Sequence, residues 1–253
     1  CVRKYGINDS GFYYPDTTVS FIQFRDFINR QTSDLLVLGW VINPNFVYKL
    51  IAEEKYPYLI EKKSWFKGDI YLYSRTKPVD KAYVPADCVL FSSLNTFDTL
   101  STGWEPVVFY YQLAKGVVYP RDMILCFNKE FGFSPRFKAN LREITRSKTN
   151  EILISVDTYM PAKLADPAII CEFRLKGKRI GWRSGNVIEF VDAPMKRLKA
   201  HLAVRLIDEK VDDPATEVWI YFWNRNLEEV YIDNFRIEVR EGNPAIYALF
   251  EKF

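Results

Sequence analysis

Glu217-Val-Trp-Ile-Tyr-Phe-Trp-Asn224, then Arg225-Asn-Leu-Glu228, then Glu229-Val-Tyr-Ile-Asp-Asn-Phe-Arg-Ile-Glu-Val239: this stretch decides the fold. Side chains of an extended strand alternate between two faces. On that period Val218, Ile220 and Phe222 share one face, and Trp219, Tyr221 and Trp223 share the other. In the second run Tyr231, Asp233, Phe235, Ile237 and Val239 fall together, against Asn234, Arg236 and Glu238. Two alternating runs joined by a short polar link predict an antiparallel hairpin. Asp233 is the anomaly, because a carboxylate among apolar positions must be paired, hydrogen-bonded or metal-bound.

Working outward, the β pattern extends from Cys88 to the end of the chain. Strands are expected at 88–93, 107–111, 123–128, 151–159, 168–175, 179–182, 187–190, 202–207, 218–223 and 230–239. Lys176-Gly177-Lys178, Ser184-Gly185-Asn186 and Asp212-Asp213-Pro214 supply turn signals between them. Short strands at this spacing predict an antiparallel β-sandwich or jelly roll over residues 88–253. Arg136 to Lys148, the most basic stretch, reads as a solvated loop or a strand edge.

The first part of the chain has a different rhythm. A helix is expected over 16–31, capped by Asp16 or Thr17, with Val19, Phe21, Ile22, Phe24, Phe27 and Ile28 at helical spacing. Asp34-Leu-Leu-Val-Leu-Gly-Trp-Val-Ile42 is a continuous apolar strand. Asn43-Pro44 starts a second helix that turns Phe46, Val47, Leu50 and Ile51 inward and ends near Lys55, before Pro57. Asp69-Ile-Tyr-Leu-Tyr-Ser-Arg75 is the next strand, expected parallel to the first across a right-handed crossover. The result is an α+β chain in two parts: a small α/β segment at 1–76, a linker at 77–87 carrying Pro78 and Pro85, and the sandwich.

The chain has 253 residues, and a hydrophobic fraction of 48% is ample for a core. Its net charge of +3 has both signs interspersed, which predicts no nucleic-acid partner, since that role calls for a clustered basic stripe and a higher pI. No apolar run approaches the roughly 20 residues a transmembrane helix needs. The cysteines at 1, 88, 126 and 171 form no CxxC pair; Cys126 and Cys171 lie in apolar runs and read as small buried hydrophobes. Cys1 admits two readings, a lipidated lipoprotein terminus or the point where a longer protein is cut, and the stiff Val-Arg-Lys-Tyr-Gly after it favours the cut.

Ser93-Leu-Asn-Thr-Phe-Asp98 with Gly103-Trp104 resembles the opening of the carbohydrate-binding-module superfamily, and Val230-Tyr-Ile-Asp-Asn-Phe-Arg-Ile-Glu238 resembles its last strand. The resemblance covers residues 88–250 and implies a jelly roll. It also implies a structural calcium (Ca2+) at Asp98 and Asp233, and calcium's preference for hard oxygen ligands suits a buried carboxylate. Phe12-Tyr-Tyr-Pro15, Phe24-Arg-Asp-Phe27, Asp34-Leu-Leu36, Tyr56-Pro-Tyr-Leu-Ile60 and Asp69 to Arg75 together resemble the soluble tail of bacterial polytopic glycosyltransferase-like membrane proteins. That second likeness implies an extracytoplasmic location, with a membrane-embedded portion or an envelope protein as partner.

Catalytic signals are sparse. His201 is the lone histidine and has no Gly-x-Ser-x-Gly elbow to serve. Neither a Gly-x-x-x-x-Gly-Lys loop nor a Gly-x-Gly-x-x-Gly turn occurs. Carboxylate pairs for glycoside hydrolysis converge in space, so Glu130, Asp157, Glu172 and Glu189 are open candidates with nothing to select two of them. The ligand reading rests on aromatics, which make up 16% of the chain. Trp219, Tyr221 and Trp223 form a platform for sugar rings if exposed, extended by Trp182, with Arg183 as a hydroxyl donor. The competing expectation is that these rings are sandwich core. The function expected is non-catalytic glycan recognition or assembly for a bacterial envelope protein. The alternatives are the soluble portion of an integral-membrane glycosyltransferase and a structural protein-binding subunit.

Overall fold

The computed structural model describes residues 19–41, 46–65, 68–78, 89–98, 101–106, 112–115, 123–127, 131–161, 165–209 and 212–247. Expectations that fall elsewhere lie outside the described residues: Cys1, Phe12 to Thr17, Asn43-Pro44, most of the 77–87 linker, Cys88, the 107–111 strand and Glu130. The chain divides into two compact units, Cys1–Asp87 and Cys88–Phe253.

In the first unit, α1 (Phe21–Arg30) is capped by Ser20 and not by an earlier residue. The Ser20 hydroxyl accepts from the Gln23 amide and the Gln23 side chain accepts from the Ser20 amide, a reciprocal box that satisfies two end donors. Its C-terminal carbonyls receive Lys55 Nζ, which donates to Ile28, Asn29 and Gln31 from the end of α2 (Phe46–Lys55). An Arg25–Glu54 fork ties the two helices. The sheet has the order β1 (Leu35–Val41), β3 (Gly68–Ser74), β2 (Tyr58–Trp65), with both pairings antiparallel. The expected parallel pair is therefore corrected. β1 and β2 do run parallel, joined through α2, but β3 inserts between them and is antiparallel to each. The missed strand, Tyr58–Trp65, alternates too weakly to be read, with Glu61, Lys62 and Lys63 in its middle.

The second unit is an antiparallel β-sandwich. One sheet has the order β10 (Lys178–Asn186), β9 (Pro167–Leu175), β12 (Glu217–Asn224), β7 (Phe137–Asn140). The other has the order β11 (Arg197–Arg205), β8 (Glu151–Tyr159), β13 (Val230–Arg240), β6 (Met123–Phe127), β5 (Gln112–Lys115), with β4 (Val89–Asn95) also paired to β13. Val218, Ile220, Phe222, Ile169, Cys171 and Phe173 of the first sheet face Ile152, Ile154, Val156, Phe235, Ile237 and Val239 of the second, and all of them are buried. Each such side chain removed from water contributes about 1.5–3 kcal/mol. Trp104 closes the core against Phe137 and Phe235 and donates its indole N–H to Ser93.

Four sequence expectations are corrected here. β12 and β13 are not a hairpin, because they lie in different sheets and the link between them arches from one to the other. Asp233 is not on the core face. The register slips between Asp233 and Arg236, with Asn234 at φ 48°, so the core positions are Val230 and Ile232 before the bulge and Phe235, Ile237 and Val239 after it. Ser184-Gly185-Asn186 is strand and not turn, and Gly185 lies close to β11, where a Cβ would sit a tight 3.1 Å from the His201 carbonyl oxygen. Residues 187–190 form one turn of 3-10 helix where a strand was expected.

Candidate functional site

The outer face of the four-stranded sheet can be laid out from its registers. One row across β10, β9, β12 and β7 is Arg179, Arg174, Glu217, Asn140. The next is Trp182, Glu172, Trp219, Lys138. Ser184, Ile170 and Tyr221 follow, and then Asn186, Ala168 and Trp223, with Phe133 bridged to Trp223. Each row is about 7 Å from the next, two strand residues.

Trp219, Tyr221 and Trp223 are thus on the outside of the sandwich and half-buried, while their neighbours Val218, Ile220 and Phe222 fill the core. Trp182 lies on the same face, 37% exposed, and Phe133 is 44% exposed. Phe133, which the sequence reading did not single out, stacks on Trp223 with centroids 5.8 Å apart and meets Tyr221 edge-on. Arg183 is a correction: it pairs with Cys171, a core position, so it leaves β10 on the side opposite Trp182. Its guanidinium lies 2.6 Å from the Glu209 carboxylate and supplies nothing to the platform.

Glu172, 5% exposed, sits among the rings. It accepts from Arg174 at 2.7 Å and from the Tyr221 hydroxyl at 3.1 Å. Burial first, and the Glu172 charge second, push the Tyr221 phenol up to about 12, so it stays a donor at neutral pH. Trp219 is ringed by cations, with Lys138 Nζ 4.2 Å and the Arg174 guanidinium 4.3 Å from its centroid. Glu105 holds Lys138 at 2.6 Å and accepts from the Arg136 amide. Burial alone would raise the Glu105 carboxyl, but the Lys138 hydrogen bond and the neighbouring cations bring it below its usual range.

The other proposed positions lie elsewhere. Asp233 is 1% exposed and on the outer face of the second sheet, where its carboxylate accepts from the Asn234 amide and side chain. Asn234 also donates to Asp157 at 2.9 Å, and Asp157 meets Arg197 and Lys199. Asp98 is exposed at the end of the β4 segment. Among the described residues no group of three or more His, Cys, Asp or Glu gathers to hold a metal. Glu172 and Asp157 face outward from opposite sheets and cannot flank one glycosidic bond. Glu189 accepts from Asn186, and His201 is buried against Phe190. Cys126 and Cys171 are free and buried, and burial raises both thiols.

No family model matches the chain, and no curated protein does. The glycosyltransferase-like expectation for residues 12–75 therefore finds no counterpart there. Among solved structures, the chain is similar to the CBM22-1 xylan-binding domain of Paenibacillus barcinonensis Xyn10C, at 16% identity over 60% of this chain and 95% of that one, with a TM-score of 0.39. It is similar to the C-terminal family 22 carbohydrate-binding module of Clostridium thermocellum Xyn10B at 14% identity, over 59% and 94% of the two chains, with a TM-score of 0.35. An arabinose-bound α-L-arabinofuranosidase, MgGH51, matches at 14% identity and a TM-score of 0.38; the match covers 60% of this chain and only 27% of the enzyme. The sandwich stands on its own strand pairing, and the chemistry of its outer face on the residues just described.

Proposed function

We propose that the second unit is a non-catalytic glycan-recognition module, serving a bacterial envelope protein outside the cytoplasm, with the outer face of the four-stranded sheet as its sugar surface. The observation that carries this is the row Trp219, Tyr221, Trp223, held on the outside of a central strand whose alternate residues already complete the core. Aromatic rings with a polar tip offer a flat apolar surface and a hydrogen-bond partner together, which suits a sugar ring with its C–H faces and peripheral hydroxyls. Trp182, Trp223 and Phe133 supply exposed ring area, and Glu172, Tyr221 and Arg174 supply donors and acceptors fixed by their own contacts. Preorganised groups of this kind lose little entropy on binding.

A structural calcium at Asp98 and Asp233 belongs to the same proposal. Its support is the burial of the Asp233 carboxylate, with the buried Asp157 facing it across the strand pair, while Asp98 enters through the motif resemblance alone. Arg197 and Lys199 offset part of that charge. Calcium removal by chelator is expected to lower the melting temperature and its return to restore it; an unchanged melting curve counts against the ion.

The sugar surface is tested by screening the chain on a glycan array beside Trp223→Ala. Specific retention by the parent and loss in the variant is the expected result. An array silent for the parent contradicts the proposal.

A further inference from the structure

The sugar surface is chemically polarised along its strands. At one end Phe133, Trp223, Ala168 and Asn186 make a near-neutral row. At the other end lie Arg179 and Arg174, with Lys138 one row in, Arg136 close by and Lys176 on the turn that joins β9 to β10. That turn is a two-residue connection with both residues left-handed, Lys176 at φ 50° and Gly177 at φ 75°, and it leaves Lys176 and Arg179 exposed.

The carboxylates of this end are already engaged. Glu172 accepts from Arg174 and Tyr221, Glu105 from Lys138 and the Arg136 amide, and Glu217 from the Trp219 indole at 3.2 Å. Arg179 sits directly opposite Arg174 across the strand pair, a like-charge register that costs stability. Lys176 and Arg179 have no ion-pair partner among the described residues. Positive charge here exceeds what the sheet itself uses.

Resting on the sugar-surface reading, we propose that the glycan bound is anionic, and that uronic-acid carboxylates are what the basic end recognises. Sugar rings stack on the Trp223–Phe133 end while carboxylates meet Arg179 and Arg174 at the basic end, with Lys138 one row in. An arginine fork matches a carboxylate in geometry as well as charge. A ligand anion also relieves the repulsion between Arg179 and Arg174.

The test measures retention of the full chain by polygalacturonate and by glucuronic-acid-substituted xylan, each native and carboxyl-reduced, with dextran sulfate as a further anion. The proteins compared are the parent, Arg179→Gln and Trp223→Ala. Arg179 is exposed, and matched melting curves check that its variant folds. Expected are a loss of at least about tenfold on carboxyl reduction, a similar loss in Arg179→Gln, and weakening as salt shortens the screening length. Equal binding to native and reduced glycans, lost only in Trp223→Ala, overturns the anionic assignment and leaves sugar recognition standing. Equal retention by dextran sulfate, untouched by Trp223→Ala, overturns the uronic assignment in favour of plain charge attraction. Binding to none of these polymers, with an array silent for neutral glycans too, overturns both readings.

Discussion

Glu105 shows how a single side chain outside the aromatic row shapes the sugar surface. Its carboxylate holds Lys138 at 2.6 Å and receives the Arg136 amide, placing both cations beside Trp219. Its folded-state acidity is stronger than normal, so its contribution to stability is present above the unfolded carboxyl pKa of about 4.3 and is lost as pH falls through the lower folded value. Glu105→Gln is therefore expected to flatten the acid limb of a melting-temperature-against-pH curve; an unchanged acid limb means that Glu105 holds nothing. Gly103 is a second decisive position. It sits at φ 83°, and a Cβ there would lie 2.7 Å from the Phe137 ring. Gly103→Ala is expected to cost about 1–3 kcal/mol, read in denaturant melts, and a neutral result would show that the loop before β7 yields freely. That glycine, Trp104 and the Asn95–Phe97 pair were visible as a motif in the sequence. Their structural roles are now plain: Asn95 accepts from the Phe97 amide, Phe97 is left-handed and buried, and Trp104 packs on Phe137 and Phe235.

At the scale of elements, alternation reported faces well and partners poorly. The division of β12 into one face with Val218, Ile220 and Phe222 and another with the three aromatics holds throughout the strand, and burial of the first set decides the choice that alternation leaves open. The same alternation could not separate a hairpin from an arch. In both, two consecutive strands bury one face, and only distant segments decide whether they pair with each other or face each other across the core. β12 takes β9 and β7 as neighbours, and β13 takes β8, β6 and β4, all non-consecutive. The bulge at Asn234 was equally illegible, since one extra residue reverses the face of everything before it. That shift is why a strict period of two puts Asp233 on the core face, which it does not occupy. Arg183 cannot join Trp182 on the platform for a simpler reason, because consecutive strand residues point to opposite faces. Phe222→Ala tests the facing arrangement: its ring lies 5.2 Å from Phe127 of the opposite sheet, so the substitution is expected to destabilise by about 3–5 kcal/mol in denaturant unfolding. A loss near zero would place Phe222 outside the core.

Across the whole molecule, one chain carries two units of different construction, a three-stranded sheet with two helices and a two-sheet sandwich. Composition foretold the second better than the first. Tyr, Trp and Phe favour strands, and their abundance, 16% of residues, serves the core and the outer face of the same sheet. Sequence alone could not divide the rings between those roles; the register of β12 against β9 does so. The most direct measurement of the central claim is the affinity of the chain for its best array glycan, compared with that of Trp223→Ala at matched melting temperature. Loss of binding without loss of folding is the expected result, because Trp223 lies outside the core and makes its ring contact with the exposed Phe133. Full binding by the Trp223→Ala variant would contradict the claim that this face holds the sugar.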